Sequence, residues 1–217
     1  MDTTYTMENG AVLAFSKGLF EPKPYKDPKT GREQGEPIYS CMLAFDLDNP
    51  EWKALRLHAL KVAQTEWNGI KWADIRTPFK SGTALADARI AENEKRVAGG
   101  LKPKPSLEFA RDKGTLHMRS KWPPTLSAVQ TNGKILDYTD ATRASAEPKF
   151  FFGAEVVCVL NFAPNEVRGK AVSCYVNTVM ATGKGTRLGG AKPGSEAFAG
   201  YAGRASDENP LDDEIPF

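Results

Sequence analysis

The chain has 217 residues, 41% of them hydrophobic, which suffices for one domain with a real core and long excursions. Formal net charge is +2, but five acids fall within residues 206–217; without them 29 bases face 22 acids, so the body carries +7. A basic body joined to an acidic end suggests a polyanionic partner.

Several function classes drop out early. Met1-Asp2-Thr3-Thr4-Tyr5 has neither a basic region nor an apolar run, so no signal peptide is expected. No apolar stretch approaches membrane-spanning length, and no membrane partner is expected. Cys41, Cys158 and Cys174 lie in apolar, strand-like runs without CxxC or matching His spacing. They read as buried reduced thiols in a cytoplasmic protein, with no metal and no cofactor.

In chain order, residues 11–20 read as a first strand. Residues 21–37 hold four prolines and two glycines and read as a long exposed loop. Residues 38–47 return as a second strand. Asn49-Pro50-Glu51 is a helix start, with Asn as N-cap and Pro in the first turn. The helix runs to about Trp67, where Asn68-Gly69 stops it. Trp52, Leu55, Ala59, Val62 and Ala63 form its apolar face. Residues 70–105 read as an insertion carrying a second helix over residues 84–97, ended by Gly99-Gly100 and the stiff linker Lys102-Pro103-Lys104-Pro105.

From Leu107 the pattern turns to β. Residues 107–111 and 115–121 read as a hairpin about Asp112-Lys113-Gly114. Residues 125–130 and 134–138 flank Asn132-Gly133, a strong turn signal. The most β-rich run is 150–162, and 170–182 pairs back. There Val172, Cys174, Val176 and Met180 alternate with Ser173, Tyr175 and Asn177. The fold class is mainly β: an OB-like antiparallel barrel with inserted helices and long loops. Residues 1–190 form this domain, and 191–217 form a flexible acidic tail.

Single strands are held by cations that follow phosphates and by aromatic faces on which bases stack. The chain interleaves the two. Tyr25 and Lys26 share the first loop; Arg76, Phe79 and Lys80 cluster; Lys113 lies in the turn before a strand, and Arg119, Lys121 and Trp122 end that strand; Lys134 and Tyr138 follow a turn. Exposure is expected for Trp122 and Tyr25. For Phe79, core and surface readings both stand, whereas Phe45, Phe109, Phe152, Phe162 and Trp52 read as core. Catalytic groupings are poor. The pairs Asp46/Asp48 and Asp137/Asp140 could bind a divalent ion in a nuclease, but no third acid accompanies them. His117 stands alone, and Gly183-Lys184-Gly185-Thr186 reads as a turn.

The end of the chain, Asp212-Asp213-Glu214-Ile215-Pro216-Phe217, resembles the tip of bacterial single-stranded-DNA-binding proteins, which ends Asp-Asp-Asp-Ile-Pro-Phe. Residues 152–162, 169–177, 185–190 and Arg119-Ser120-Lys121-Trp122-Pro123-Pro124 resemble phage-encoded replicative single-stranded-DNA-binding proteins. This resemblance implies an OB-fold, non-catalytic binder of single-stranded DNA in the host cytoplasm. It also implies recruitment of replication and recombination proteins through the tip. A metal-dependent nuclease and a protein-interaction adaptor remain the alternatives, and strand annealing and a homodimer stay open.

Overall fold

Apolar residues at every second position make the strands of this chain. The structure, a computed structural model, describes residues 2–26, 33–167 and 169–188. The first strands are β1 (Thr4–Thr6), β2 (Ala11–Phe15), β3 (Lys23–Lys26) and β4 (Glu33–Asp46). Helix α1 (Pro50–Glu66), β5 (Phe79–Ser81) and α2 (Gly82–Ala98) follow. The chain continues through β6 (Lys113–Ser120), β7 (Thr125–Val129), β8 (Ile135–Tyr138) and a short α3 (Arg143–Ala146). It closes with β9 (Ala154–Asn165) and β10 (Ala171–Gly185).

Five strands form a closed ring: β9 pairs β2, β2 pairs β4, β4 pairs β6, β6 pairs β10, and β10 returns to β9. In chain order these strands run 1-2-3-5-4 around the ring, and β6–β10 is its parallel contact. That is the connectivity of an OB barrel. Leu43, Phe45, Leu116, Val156, Leu160, Phe162 and Val176 fill the interior and are essentially without solvent exposure.

Helix α1 covers one end of the barrel. The Asn49 side chain accepts from the Glu51 amide at 2.8 Å, and Pro50 occupies the first turn, where a missing N–H costs nothing. Trp52, Leu55, Ala59, Val62 and Ala63 are its buried residues, together with Glu51. The Glu51 carboxylate accepts from the Tyr5 hydroxyl at 2.7 Å and from the amides of Glu8 and Asn9 at 3.0 and 2.8 Å. A buried carboxylate so supplied ties the β1–β2 connection to the helix start.

A second, smaller core lies outside the barrel. Ala14, Met42 and Ala44 point outward from β2 and β4 and are covered by Leu85 of α2 with Leu107, Phe109 and Phe152. Phe109 and Phe152 meet edge to face at 4.6 Å.

Four expectations are corrected. The 107–111 strand is a 3₁₀ turn at Glu108–Ala110, so β6 takes β4 and β5 as antiparallel neighbours and has no hairpin partner upstream. Residues 21–37 are only partly loop, because β3 and the start of β4 pair as an arm. The 70–105 insertion contributes a strand of its own, β5, to the sheet. In β10 a bulge at Asn177 reverses the alternation, which buries Val179 and leaves Met180 partly exposed. Cys41, Cys158 and Cys174 are free and buried. Among the described residues no helix is long and apolar enough to cross a membrane.

Candidate nucleic-acid interface

Barrel strands expose every second residue, about 6.6 Å apart. On β6 the outward set contains Thr115, His117 and Arg119, since their neighbours Leu116 and Met118 face the core. Tyr175 of β10 lies beside Arg119 in the parallel register, and Ser40 of β4 lies beside it on the other flank. A groove of about 630 Å³ runs over this face. His117, Arg119, Ser173 and Tyr175 line it along the strands, Arg76 flanks it, and Asn165 and Val167 stand at the β9–β10 turn.

The groove is held by specific bonds. Ser173 Oγ accepts from Arg119 Nη2 at 2.8 Å and from Asn165 Nδ2 at 2.9 Å. One of the five guanidinium N–H donors of Arg119 is used there, which aims the side chain while leaving donors for an anion. The Arg76 amide donates to the Lys170 carbonyl, and the Val172 amide donates to the Arg76 carbonyl. Arg76 Nη2 adds a bond to the Gly169 carbonyl at 3.3 Å. The β9–β10 turn is in turn tied to the end of α1, where Trp67 Nε1 donates to Glu166 Oε1 at 2.7 Å. Val167 projects from that turn with 88% of its surface exposed.

His117 is kept neutral. Burial, and then the nearby Lys80 charge, push its pKa down to about 4. At neutral pH it presents an uncharged ring to the groove. Lys80 is exposed and sits opposite Thr115 on β5.

Beyond the groove, a cation and an aromatic ring follow the end of β6. Lys121 forms an ion pair with Glu36 of the β3–β4 arm at 2.7 Å and lies 5.7 Å from the centroid of the Trp122 ring. Trp122 is 72% exposed, as its place before Pro123-Pro124 led us to expect. Tyr25 and Lys26 stand on β3, paired with Gln34 and Glu33 of the same arm.

Other expected residues are placed elsewhere. Phe79 is 9% exposed and packs with Trp52, Trp72 and Phe162 in the barrel core, so of its two readings the core one holds and its place among the stacking residues is corrected. Lys113 is bound to Asp46. Lys134 and Tyr138 belong to the hairpin at the far edge of the sheet; it joins β10 over Thr178–Ala181, whereas the groove uses residues 171–175. Tyr138 also packs against the main core. The tip residues Asp212 to Phe217 lie outside the described residues.

Sequence reasoning missed Tyr175, Ser173, Asn165 and His117 as groove residues. The alternation of residues 171–177 already set Ser173 and Tyr175 on the outward face. What the sequence withheld was that β10 lies beside β6. Of the acids considered for a nuclease, Asp46 is engaged by Lys113, and Asp137 accepts from Ser127 Oγ at 2.6 Å. Among the described residues no three His, Cys, Asp or Glu side chains are arranged to hold a metal ion.

No protein-family model and no curated protein matches this sequence. Solved structures do. The single-stranded DNA-binding protein from bacteriophage Enc34 in complex with ssDNA aligns with a TM-score of 0.57 and 16% identity, over 86% of this chain and 90% of that one. A second structure of the Enc34 protein gives a TM-score of 0.57 at 14% identity, over 89% and 88% of the two chains. Its C-terminal truncation gives the same TM-score and identity over 86% and 88%. At such identities the likeness is one of fold.

Proposed function

We propose that this protein binds single-stranded DNA without sequence preference and catalyses no reaction on it. The observation that carries this reading is the groove over β6 and β10, where Arg119, Arg76 and the neutral His117 meet the ring of Tyr175 on an OB barrel. The same fold occurs in the Enc34 protein, whose structure holds single-stranded DNA.

The strand would enter along the β3–β4 arm and cross Trp122. Arg119, Arg76, Lys80 and Lys121 would hold phosphates, while Trp122 and Tyr175 stack bases. Neither kind of contact reads a base edge, so binding tolerates sequence. Residues 1–190 act as the binding domain in the host cytoplasm, in phage DNA replication and recombination. Residues 191–217 act as an acidic tail that competes with DNA for the groove, and Ile215-Pro216-Phe217 recruits replication proteins.

Titration of a labelled oligo-dT against a duplex of equal length, at several salt concentrations, tests the reading. We expect preference for the single strand and an affinity that falls linearly in log–log form with salt. Equal binding of duplex, or no dependence on salt, would overturn it.

A further inference from the structure

A second hollow, of about 380 Å³, opens beside the groove at the free edge of β5, whose one partner among the described residues is β6. Its size is that of a small-ligand site. Trp52, Trp72 and Phe79 supply its aromatic lining and Leu47 an aliphatic side chain, while Arg56 and Lys80 bring positive charge to it. The guanidinium of Arg56 lies 5.1 Å from the centroid of the Trp72 ring and 5.7 Å from that of Trp52. Trp72 itself is half-buried against Phe79 at 5.6 Å, and Arg56 is exposed on α1. The remaining cation, Lys113, is engaged by Asp46, and at the rim Asp112 accepts from Thr83 Oγ1.

Lys80 joins the two sites. It lines this hollow, and its charge acts on His117 in the groove. A phosphate held at Lys80 therefore places the next nucleotide over the hollow. Arg56 and Trp72 are then the groups a base needs: a ring face, a guanidinium plane and a positive charge.

We infer that this hollow is a second nucleotide subsite, in which the single strand continues past Lys80 and lays one base against Trp72 and Arg56. The inference rests on the proposed binding of single-stranded DNA in the main groove. It adds base contacts on α1 and the segment that follows it, at the start of β6.

A ladder of oligo-dT from about 4 to about 16 nucleotides, the span used by one OB fold, separates the two ideas. Affinities are measured by fluorescence anisotropy for the full chain and for Arg56→Ala, Trp72→Leu and Arg119→Ala. Trp72→Leu keeps an apolar side chain against Phe79, and the thermal midpoint of each variant verifies folding. We expect Arg56→Ala and Trp72→Leu to match the parent on the shortest oligonucleotides. On the longest they lose about tenfold, the effect of one stacked base. Arg119→Ala should lose affinity at every length. If Arg56→Ala equals the parent at all lengths while Arg119→Ala is weakened, Arg56 merely clips Trp72 to α1 and the subsite is refuted. A loss that is uniform over all lengths would refute it too. Should the parent bind none of the ladder, the main reading and this one fall together.

Discussion

Trp122 costs the fold little, and under the proposed function it offers a base an open ring face. With 72% of its surface in solvent it contributes little buried area, whereas one base–aromatic stack is worth about 1–3 kcal/mol. Trp122→Ala should therefore weaken oligo-dT binding by that amount in anisotropy and leave the urea midpoint unchanged. His117 behaves in the opposite way, because its effect is on stability. An unfolded histidine takes up a proton near pH 6.5, while the folded His117 resists until about pH 4. Between those values the unfolded state binds more protons, so acidification through this window destabilises the fold. His117→Gln should lose less stability than the parent between pH 7 and pH 5, as read from urea midpoints; carboxylates titrate in both proteins and cancel. Parallel pH profiles would show that His117 is not the buried neutral group. Trp122 was legible from its position before two prolines, and His117 was not, because its burial and its neighbour Lys80 come from residues distant in sequence.

At the level of elements, local chemistry and pairing part company. The start of α1 was legible, since Asn49, Pro50 and the 3.6-residue apolar spacing are local signals. What Glu51 does there was not legible, because its donors come from Tyr5, Glu8 and Asn9, more than forty positions away. Removing its buried carboxylate takes the acceptor from four donors, the half-buried Tyr5 hydroxyl, the amides of Glu8 and Asn9, and the Asn9 side chain. Glu51→Ala should lower stability by about 3 kcal/mol in urea unfolding, and Glu51→Gln by less, since an amide oxygen still accepts. A loss no larger than that from a surface residue would mean the β1–β2 connection is not held there. Strand β10 teaches the same lesson about pairing. Strict alternation from Val172 places Met180 inside, but the bulge at Asn177 shifts the count by one and puts Val179 there. Nothing in the run 176–180 announces that shift; it is set by the register with β9. The 107–111 segment fails for a related reason. Its apolar residues Leu107 and Phe109 cover the outer face of β2 and β4 and do not pair in the sheet.

For the whole molecule, the barrel class was readable from strand count and the inserted helix, and its closure was not. Closure depends on β6 and β10 meeting in parallel, two strands separated by fifty residues. The groove exists only because of that contact, so most of its lining escaped sequence reasoning even though Arg119 did not. Charge, by contrast, is a whole-chain property that sequence states outright. A body of +7 and five acids within residues 206–217 make opposite partners. If those acids visit the groove, they compete with phosphate for Arg119, Arg76 and Lys80, and the competition is electrostatic. Ending the chain at Ala205 should then tighten oligo-dT binding at low salt. The advantage should shrink as ionic strength rises, because at 0.15 M the screening length is only about 8 Å and both the tail and the DNA are weakened. The truncated protein should also show a steeper salt slope, since no internal anion has already displaced counterions from the groove. Equal affinity of the two chains at low salt would mean that the tail does not compete for the groove. A gap that persists unchanged in high salt would mean that contacts other than charge, such as those of Ile215 and Phe217, hold the tail in place.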